Sequence, residues 1–359
     1  MSLADRVKSE GNPLVDGNQA TFVFLRDESP QLIGDFNDWG HDGPPQPQGA
    51  QLTESEPGVW TYNLELPDDA YIEYVYTTDL MDKDARVMDP HNPNVIGNGV
   101  GQDQNWFTMP AFTETPLATL PEGGLKGTLT EHQLEIPPNS GQMRDVWLYA
   151  PPTDEPVPLI VNYDGNDYID RGKLAIIVDN LIAAWDIQPV ALAMIANAGD
   201  MRFLEYNTNE TTLIVITQML LPLAQKHLNL LDISQHPGAY GIMGASMGGL
   251  MSLYTGLRLP QIFGHVLSQS GAYETFGLPV QNLAATLVEH TPKQPLKIWQ
   301  DAGRYEWLLD SNRKLHDLLV TRGYDVTYHE FNGGHNYTSW RNVLPTALKA
   351  LYGKSTGAE

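Results

Sequence analysis

The chain has 359 residues, with 44 Asp+Glu against 21 Lys+Arg, a formal net charge of −23 and no cysteine. Its length suits two domains and a sizeable core, and 42% hydrophobic with 18% charged residues is a globular composition, not a disordered one. Acidity on this scale argues against nucleic acid and against attachment to anionic lipid. The missing cysteines exclude disulfides, Cys-ligated zinc, iron–sulfur clusters and a cysteine nucleophile.

The opening residues Met1-Ser2-Leu3-Ala4-Asp5-Arg6 form no apolar segment, and no run of 18 or more apolar residues follows anywhere. The expectation is a chain outside the membrane and in the cytoplasm, with secretion left open if a signal peptide has been removed. Charge is unevenly spread. Residues 1–112 hold 19 acidic and 5 basic side chains, and residues 113–359 hold 25 and 16.

Residues 1–112 contain short β-rich runs and no helical period. Thr21-Phe22-Val23-Phe24-Leu25, Gln31-Leu32-Ile33-Gly34, Val59-Trp60-Thr61-Tyr62-Asn63-Leu64 and Tyr71-Ile72-Glu73-Tyr74-Val75-Tyr76 favour strands, and Asn and Gly make 92–101 a loop. This is the pattern of a small immunoglobulin-like β-sandwich. Residues 113–125, rich in Pro and Gly, read as a linker.

From 126 to 359 strands and helices alternate. Apolar runs at 157–163, 189–195, 239–243, 264–268, 296–301 and 325–331 predict buried strands, and 171–185, 211–227, 249–258 and 309–322 predict helices. Buried strands spaced by amphipathic segments imply an α/β domain, a mostly parallel sheet with helices on both faces.

Gly244-Ala245-Ser246-Met247-Gly248, followed by Gly249, lies between the apolar run Tyr240-Gly241-Ile242-Met243 and a helical segment opening Leu250-Met251-Ser252-Leu253. That strand–turn–helix setting is what the G-x-S-x-G nucleophile elbow requires, with small neighbours around a strained serine. Ser246 is therefore the candidate nucleophile, against a plain Gly-rich turn.

A serine hydroxyl needs a base, and in this arrangement the chain order is Ser, acid, His. Five histidines follow Ser246: His265, His290, His316, His329 and His335. The first four fall in predicted strands or beside helices. His335, in Asn332-Gly333-Gly334-His335-Asn336, follows the last strand directly, where α/β sheets place working residues. For the acid, Trp299-Gln300-Asp301-Ala302-Gly303-Arg304-Tyr305-Glu306 offers Asp301 at a strand end and Glu306 in the turn beyond Gly303, and Asp310 is a third option.

An oxyanion hole takes one N–H from the residue after the nucleophile, Met247, and one from the loop after the third strand, where Gly165 or Asn166 is expected to donate. No metal and no organic cofactor is called for.

Together these motifs resemble the enterochelin esterase-like branch of the esterase D superfamily of α/β-hydrolases. The resemblance rests on Tyr163-Asp164-Gly165, Arg202-Phe203-Leu204-Glu205-Tyr206, Leu220-Leu221-Pro222, Gly244 to Gly249, Gly303-Arg304-Tyr305-Glu306, Asn312-Arg313, Gly333-Gly334-His335 and Trp340-Arg341. In that branch the turn after Gly303 carries the triad acid, which favours Glu306. Gln218-Met219 departs from the branch, which often has Glu before Leu-Leu-Pro.

Leu32-Ile33-Gly34-Asp35-Phe36-Asn37-Asp38-Trp39, Pro57-Gly58-Val59-Trp60 and Met88-Asp89-Pro90-His91-Asn92-Pro93 are similar to early-set domains related to glycogen-binding modules. Trp39 and Trp60 are either sugar-stacking or core residues.

The resemblance implies a serine esterase working through an acyl-enzyme on a small-molecule ester, siderophore-like first and feruloyl or acetyl-xylan-like second. A catalytically idle carbohydrate-binding protein on the same fold, and acyl transfer to an alcohol, are the other readings. Arg202 and Glu205 are either substrate contacts or an ion pair. Trp299, Tyr305, Trp307, Tyr337 and Trp340 stand near the acid and base in sequence, and of these Tyr305 and Trp340 are the substrate-binding candidates. Arg202, Arg304 and Arg341 are the cations available to offset acidity at a cleft.

Overall fold

In the computed structural model of the chain, residues 1–40, 49–97, 99, 102–137, 140–274 and 283–354 are described. They form two compact units. The first comprises Met1–Thr113 with Gly303–Trp307 and Phe331–Ser339; the second comprises Glu114–Ala302, Leu308–Glu330 and Trp340–Glu359. A cut in sequence near 113–125 assigns everything after it to one domain. By packing, two short later segments belong instead with the first unit.

The first unit is built of two antiparallel sheets. One runs Leu14–Asp16, Gln19–Leu25, Val59–Glu65, Thr53–Glu56 in spatial order. The other centres on Tyr71–Thr77, flanked by Gln31–Gly34 and Asp103–Thr108. Inward-facing Phe22, Tyr74 and Phe107 meet edge to face, with Phe22 and Tyr74 centroids 4.9 Å apart. Such aromatic pairs bury large areas in a preferred geometry. Tyr74 hides its hydroxyl by donating to Asp89 at 2.7 Å.

Two features of this unit, a helix and a strand, depart from the sequence reading, and a third bears on the two tryptophans. Leu3–Glu10 is a helix capped by Ser2, whose hydroxyl accepts from the Asp5 amide at 3.2 Å. It buries only Val7, so it leaves no apolar stripe to read. Val95–Gly97, inside the expected loop, pairs with Asp103–Thr108; residues 98, 100 and 101 of that loop lie outside the described residues. Trp39 and Trp60 are held by hydrogen bonds, Trp39 Nε1 donating to Asp35 at 3.2 Å and Trp60 Nε1 to the Arg26 carbonyl at 3.0 Å.

The second unit carries the α/β sheet. Its strands are β1 (Thr128–Glu135), β2 (Met143–Ala150), β3 (Leu159–Asn162), β4 (Ala191–Ile195), β5 (Tyr240–Ala245), β6 (Phe263–Gln269), β7 (Lys297–Tyr305) and β8 (Asp325–Gly334), in the spatial order β1-β2-β4-β3-β5-β6-β7-β8. Strands β3 to β7 pair in parallel, and β2 is antiparallel to β1 and β4. The parallel strands β3 to β5 are buried along their whole length, which is why they read as continuous apolar runs.

The expected linker contains a one-turn helix, Pro116–Ala118, capped by Thr115. β1 and β2 left no such signal, because β1 is largely exposed and polar. The helix expected over 211–227 is real but interrupted. Glu210–Val215 and Leu221–His227 are joined by a π-helical stretch, Ile216–Leu220, immediately ahead of Pro222. Proline lacks the N–H that an α-helical turn would need there, and a wider turn absorbs the loss.

Candidate active site

Ser246 sits between the end of β5 and the helix Met247–Arg258 at φ 58°, ψ −122°, a conformation rare for any residue with a Cβ. Strain of this kind costs about 1–3 kcal/mol and persists only where the surroundings impose it. Here they do: the Ser246 amide donates to the Gln269 carbonyl at 2.9 Å, and its carbonyl accepts from Ala272 at 3.0 Å and Leu250 at 3.1 Å. The turn is so tight that a Cβ at Gly244 would lie 2.7 Å from the Gly248 backbone. That is the physical reason for glycine at 244; at 248 a Cβ would crowd Asp164 Oδ2 at 3.1 Å. Met247 follows as the first residue of the helix, so its N–H is one of the donors a helix start leaves without an intrahelical partner.

Asp164, on the turn after β3, is fully buried in a left-handed conformation at φ 58° and precedes the short helix Gly165–Asp170. Both its oxygens accept from Arg202, at 2.6 Å each, and Oδ1 also accepts from Asn197 Nδ2 at 2.9 Å. The Asn166 side-chain oxygen accepts from the Asn197 amide at 3.3 Å. This bidentate pair fixes the turn on which both oxyanion candidates, Gly165 and Asn166, lie.

Within the first unit, Glu306 and His335 meet. Glu306 Oε2 lies 2.9 Å from His335 Nδ1; the carboxyl is buried and the imidazole partly so. Nδ1–H then donates to the carboxylate and the lone pair falls on Nε2, the tautomer a general base needs. Trp307 packs against the imidazole at 4.6 Å between centroids. The competing carboxylates are occupied elsewhere. Asp301 accepts from Trp299 Nε1 at 2.8 Å, and Asp310 is exposed beside Arg313. One local bound is corrected: β7 continues past Gly303 to Tyr305, and Glu306 opens the turn that follows.

A family model described as "Putative esterase" matches residues 139–351, well over half of the chain. The chain belongs to this esterase family. Among relatives, the chain is 28% identical over 290 residues to an iron(III) enterobactin esterase of Dickeya dadantii, spanning 72% of this chain and 65% of that one. Its fold is that of the Shigella flexneri enterobactin esterase determined in the presence of enterobactin, with a TM-score of 0.76 at 20% identity over 97% of both chains. A ferulic acid esterase matches 63% of the chain with a TM-score of 0.53 at 15% identity.

Other expected site residues are engaged inside the protein. Arg202 and Glu205 do not form one pair between them; they belong to two, Arg202 with Asp164 and Glu205 with Arg144 at 3.0 Å. Trp340, expected at the substrate, is buried and donates its indole N–H to Ser270 Oγ at 2.9 Å. Tyr305 packs against the sandwich core. Of the remaining aromatics, Trp299 is buried, and Trp307 is the one that combines a half-exposed ring with contact to His335. The arginines are likewise held, Arg304 donating to Asn332 at 3.2 Å and Arg341 pairing with Glu114 at 3.3 Å.

Removing Arg202 strands the buried Asp164 carboxylate. The Arg202→Met variant is expected to lose about 3–5 kcal/mol of stability, the usual cost of breaking a buried pair from one side. Urea unfolding followed by fluorescence measures it, and a loss below about 1 kcal/mol contradicts a structural role.

Sequence reasoning gave no site role to Asp164, Asn197, Asp35 or Asn336, and placed Trp307 only among five aromatics near the acid and base. Asp164, Asp35 and Asn336 lie inside motifs singled out for other reasons; Asn197 had no signal. Among the described residues no group of three or more His, Cys, Asp or Glu is placed to hold a metal, and no helix is long and apolar enough to cross a membrane.

Proposed function

We propose that the chain is a serine esterase that hydrolyses siderophore esters of the enterobactin class through an acyl-enzyme. The observation that carries this reading is the His335 Nδ1 to Glu306 Oε2 bond of 2.9 Å, which sets the imidazole in the tautomer of a proton acceptor. Its complement is a serine held at positive φ on a strand–turn–helix elbow.

In this mechanism Ser246 Oγ attacks the ester carbonyl while His335 Nε2 takes its proton, and Glu306 stabilises the imidazolium. The Met247 N–H and an N–H from the Gly165–Asn166 turn hold the tetrahedral oxyanion. His335 returns the proton to the leaving alcohol, then activates the water that releases the acid from Ser246. Support for the substrate class comes from the enterobactin esterase relatives and from the two-unit architecture shared along the chain's full length.

The test is a comparison of ferric enterobactin, methyl ferulate and acetylated xylan, with p-nitrophenyl acetate as a generic ester. Enterobactin is expected to exceed the other two in kcat/KM by at least about tenfold, the scale of specificity that a shaped pocket supplies. Faster cleavage of ferulate or xylan overturns the substrate class, and no release from any ester overturns the esterase reading.

A further inference from the structure

We propose that Asp35, on the turn leaving the strand Gln31–Gly34, is a positioning residue for His335. The proposal rests on the reading of His335 as the base, and all of its residues lie in the first unit. Asp35 is 2% exposed and clamps both neighbours of His335. On one side its carboxyl fills the space above Gly334, where an added Cβ would overlap it. On the other, Asp35 Oδ2 accepts from Asn336 Nδ2 at 3.4 Å. Asn336 in turn accepts from the Ser339 amide at 2.9 Å and donates its own amide to the Gly334 carbonyl at 3.0 Å.

Asp35 itself is fixed in place. Its Oδ2 accepts from the Glu73 amide at 2.9 Å and its Oδ1 from Trp39 Nε1 at 3.2 Å. Glu73, also buried, bonds Tyr71 at 3.0 Å and Gln104. Gly333 and Gly334, the last two residues of β8, leave the backbone that leads into His335 with much freedom to lose. Asp35 removes that freedom on both sides of the imidazole, which holds Nδ1 on Glu306. Burial, with the charges of Glu73 and Glu306 nearby, pushes the Asp35 carboxyl well above the usual carboxylate range.

The experiment uses the full chain with 15N-labelled histidine. It follows the far-downfield Nδ1–H resonance of His335, assigned by its loss in His335→Gln, alongside kinetics on p-nitrophenyl acetate. Asp35→Ala is expected to broaden or abolish the resonance and to lower kcat about 10–100-fold, the usual cost of a misplaced catalytic group. KM should stay within about twofold. Asp35→Asn keeps the shape and the side-chain oxygen that Glu73 and Asn336 need but turns its NH2 toward Trp39 Nε1, so it is expected to restore the resonance and kcat in part, to a level between Asp35→Ala and wild type. Asn336→Ala repeats the Asp35→Ala result and decides the matter if that variant does not fold.

Asp89→Asn is the control. It removes another buried carboxylate of the same sandwich, one bonded to Tyr74 and the His91 amide. The proposal is overturned if Asp35→Ala and Asn336→Ala keep the resonance, if Asp89→Asn loses it as well, or if wild type lacks it. Absence of ester turnover in wild type, with the resonance behaving as expected, overturns the esterase reading and leaves the positioning role standing.

Discussion

Ser246→Ala is expected to lower kcat for p-nitrophenyl acetate by about a millionfold and to abolish the burst of p-nitrophenol, while KM for what residual hydrolysis remains changes little. The size follows from chemistry: without Oγ no acyl-enzyme forms, and the only catalysis left comes from binding and from the oxyanion donors. The fold should survive, since the contacts that define the elbow are backbone bonds of residue 246 with Gln269, Ala272 and Leu250, and alanine makes all three. Circular dichroism and a melting curve close to wild type complete the result. A variant that retains more than about a thousandth of wild-type kcat removes Ser246 from the reaction.

Glu306→Gln is expected to reduce kcat about 10⁴-fold with little change in stability. The amide has the shape of the carboxyl, so packing around the side chain persists. Its chemistry is inverted at the critical atom. In this variant a side-chain NH2 turned toward His335 donates to Nδ1, which drives the ring proton to Nε2, the nitrogen that has to accept the serine proton. An amide carbonyl turned the same way keeps the tautomer but supplies no charge to the imidazolium. Either orientation loses most of the rate. Asp301→Asn is the informative contrast: its carboxylate serves Trp299 and Gln269, so its effect should fall on stability. If Asp301→Asn slows turnover as severely as Glu306→Gln while stability holds, the acid has been assigned to the wrong residue. Steady-state kinetics and thermal melts on the two variants settle the choice.

Local sequence specified a good deal of this site. The glycine at 244 is dictated by a backbone approach too close for a Cβ, and a Cβ at 248 would crowd Asp164 Oδ2 at 3.1 Å, so the two appear in the chain as a motif. The elbow also has to follow a buried strand and open a helix, and both leave periodic signals. His335 was legible because a strand end marked by a Gly-Gly pair is a local event, although the strand runs on through both glycines and stops only at Gly334, three residues later than the apolar run at 325–331 suggested. The second acid was a different matter. Asp301, Glu306 and Asp310 stand close together in the chain, and only the path of β7, which runs past Gly303 to Tyr305, brings Glu306 to the imidazole and leaves Asp301 inside the sheet.

Pairings over long separations were invisible for the same reason. Arg202 faced two open readings, and its partner proved to be Asp164, 38 residues earlier in the chain. Trp340 carries an aromatic ring suited to a cleft, yet its neighbour is Ser270, 70 residues away, and it is buried. Asp35 belongs to a motif that reads as an early-set turn, and nothing near it in sequence points to a loop at the far end of the chain, where its partner Asn336 lies 301 residues on.

By itself, then, the chain determined its fold class, its elbow serine and its loop histidine, because each is written in patterns of a few consecutive residues: alternation, apolar runs and obligatory glycines. The tertiary structure alone decided which carboxylate meets His335, which ion pairs hold the turn after β3, and that residues 303–307 and 331–339 pack with the N-terminal sandwich. Those outcomes depend on how strands pair across the sheet and where each one ends. Such pairings are set by the sum of many weak contacts between distant segments, and no short stretch of sequence carries that sum.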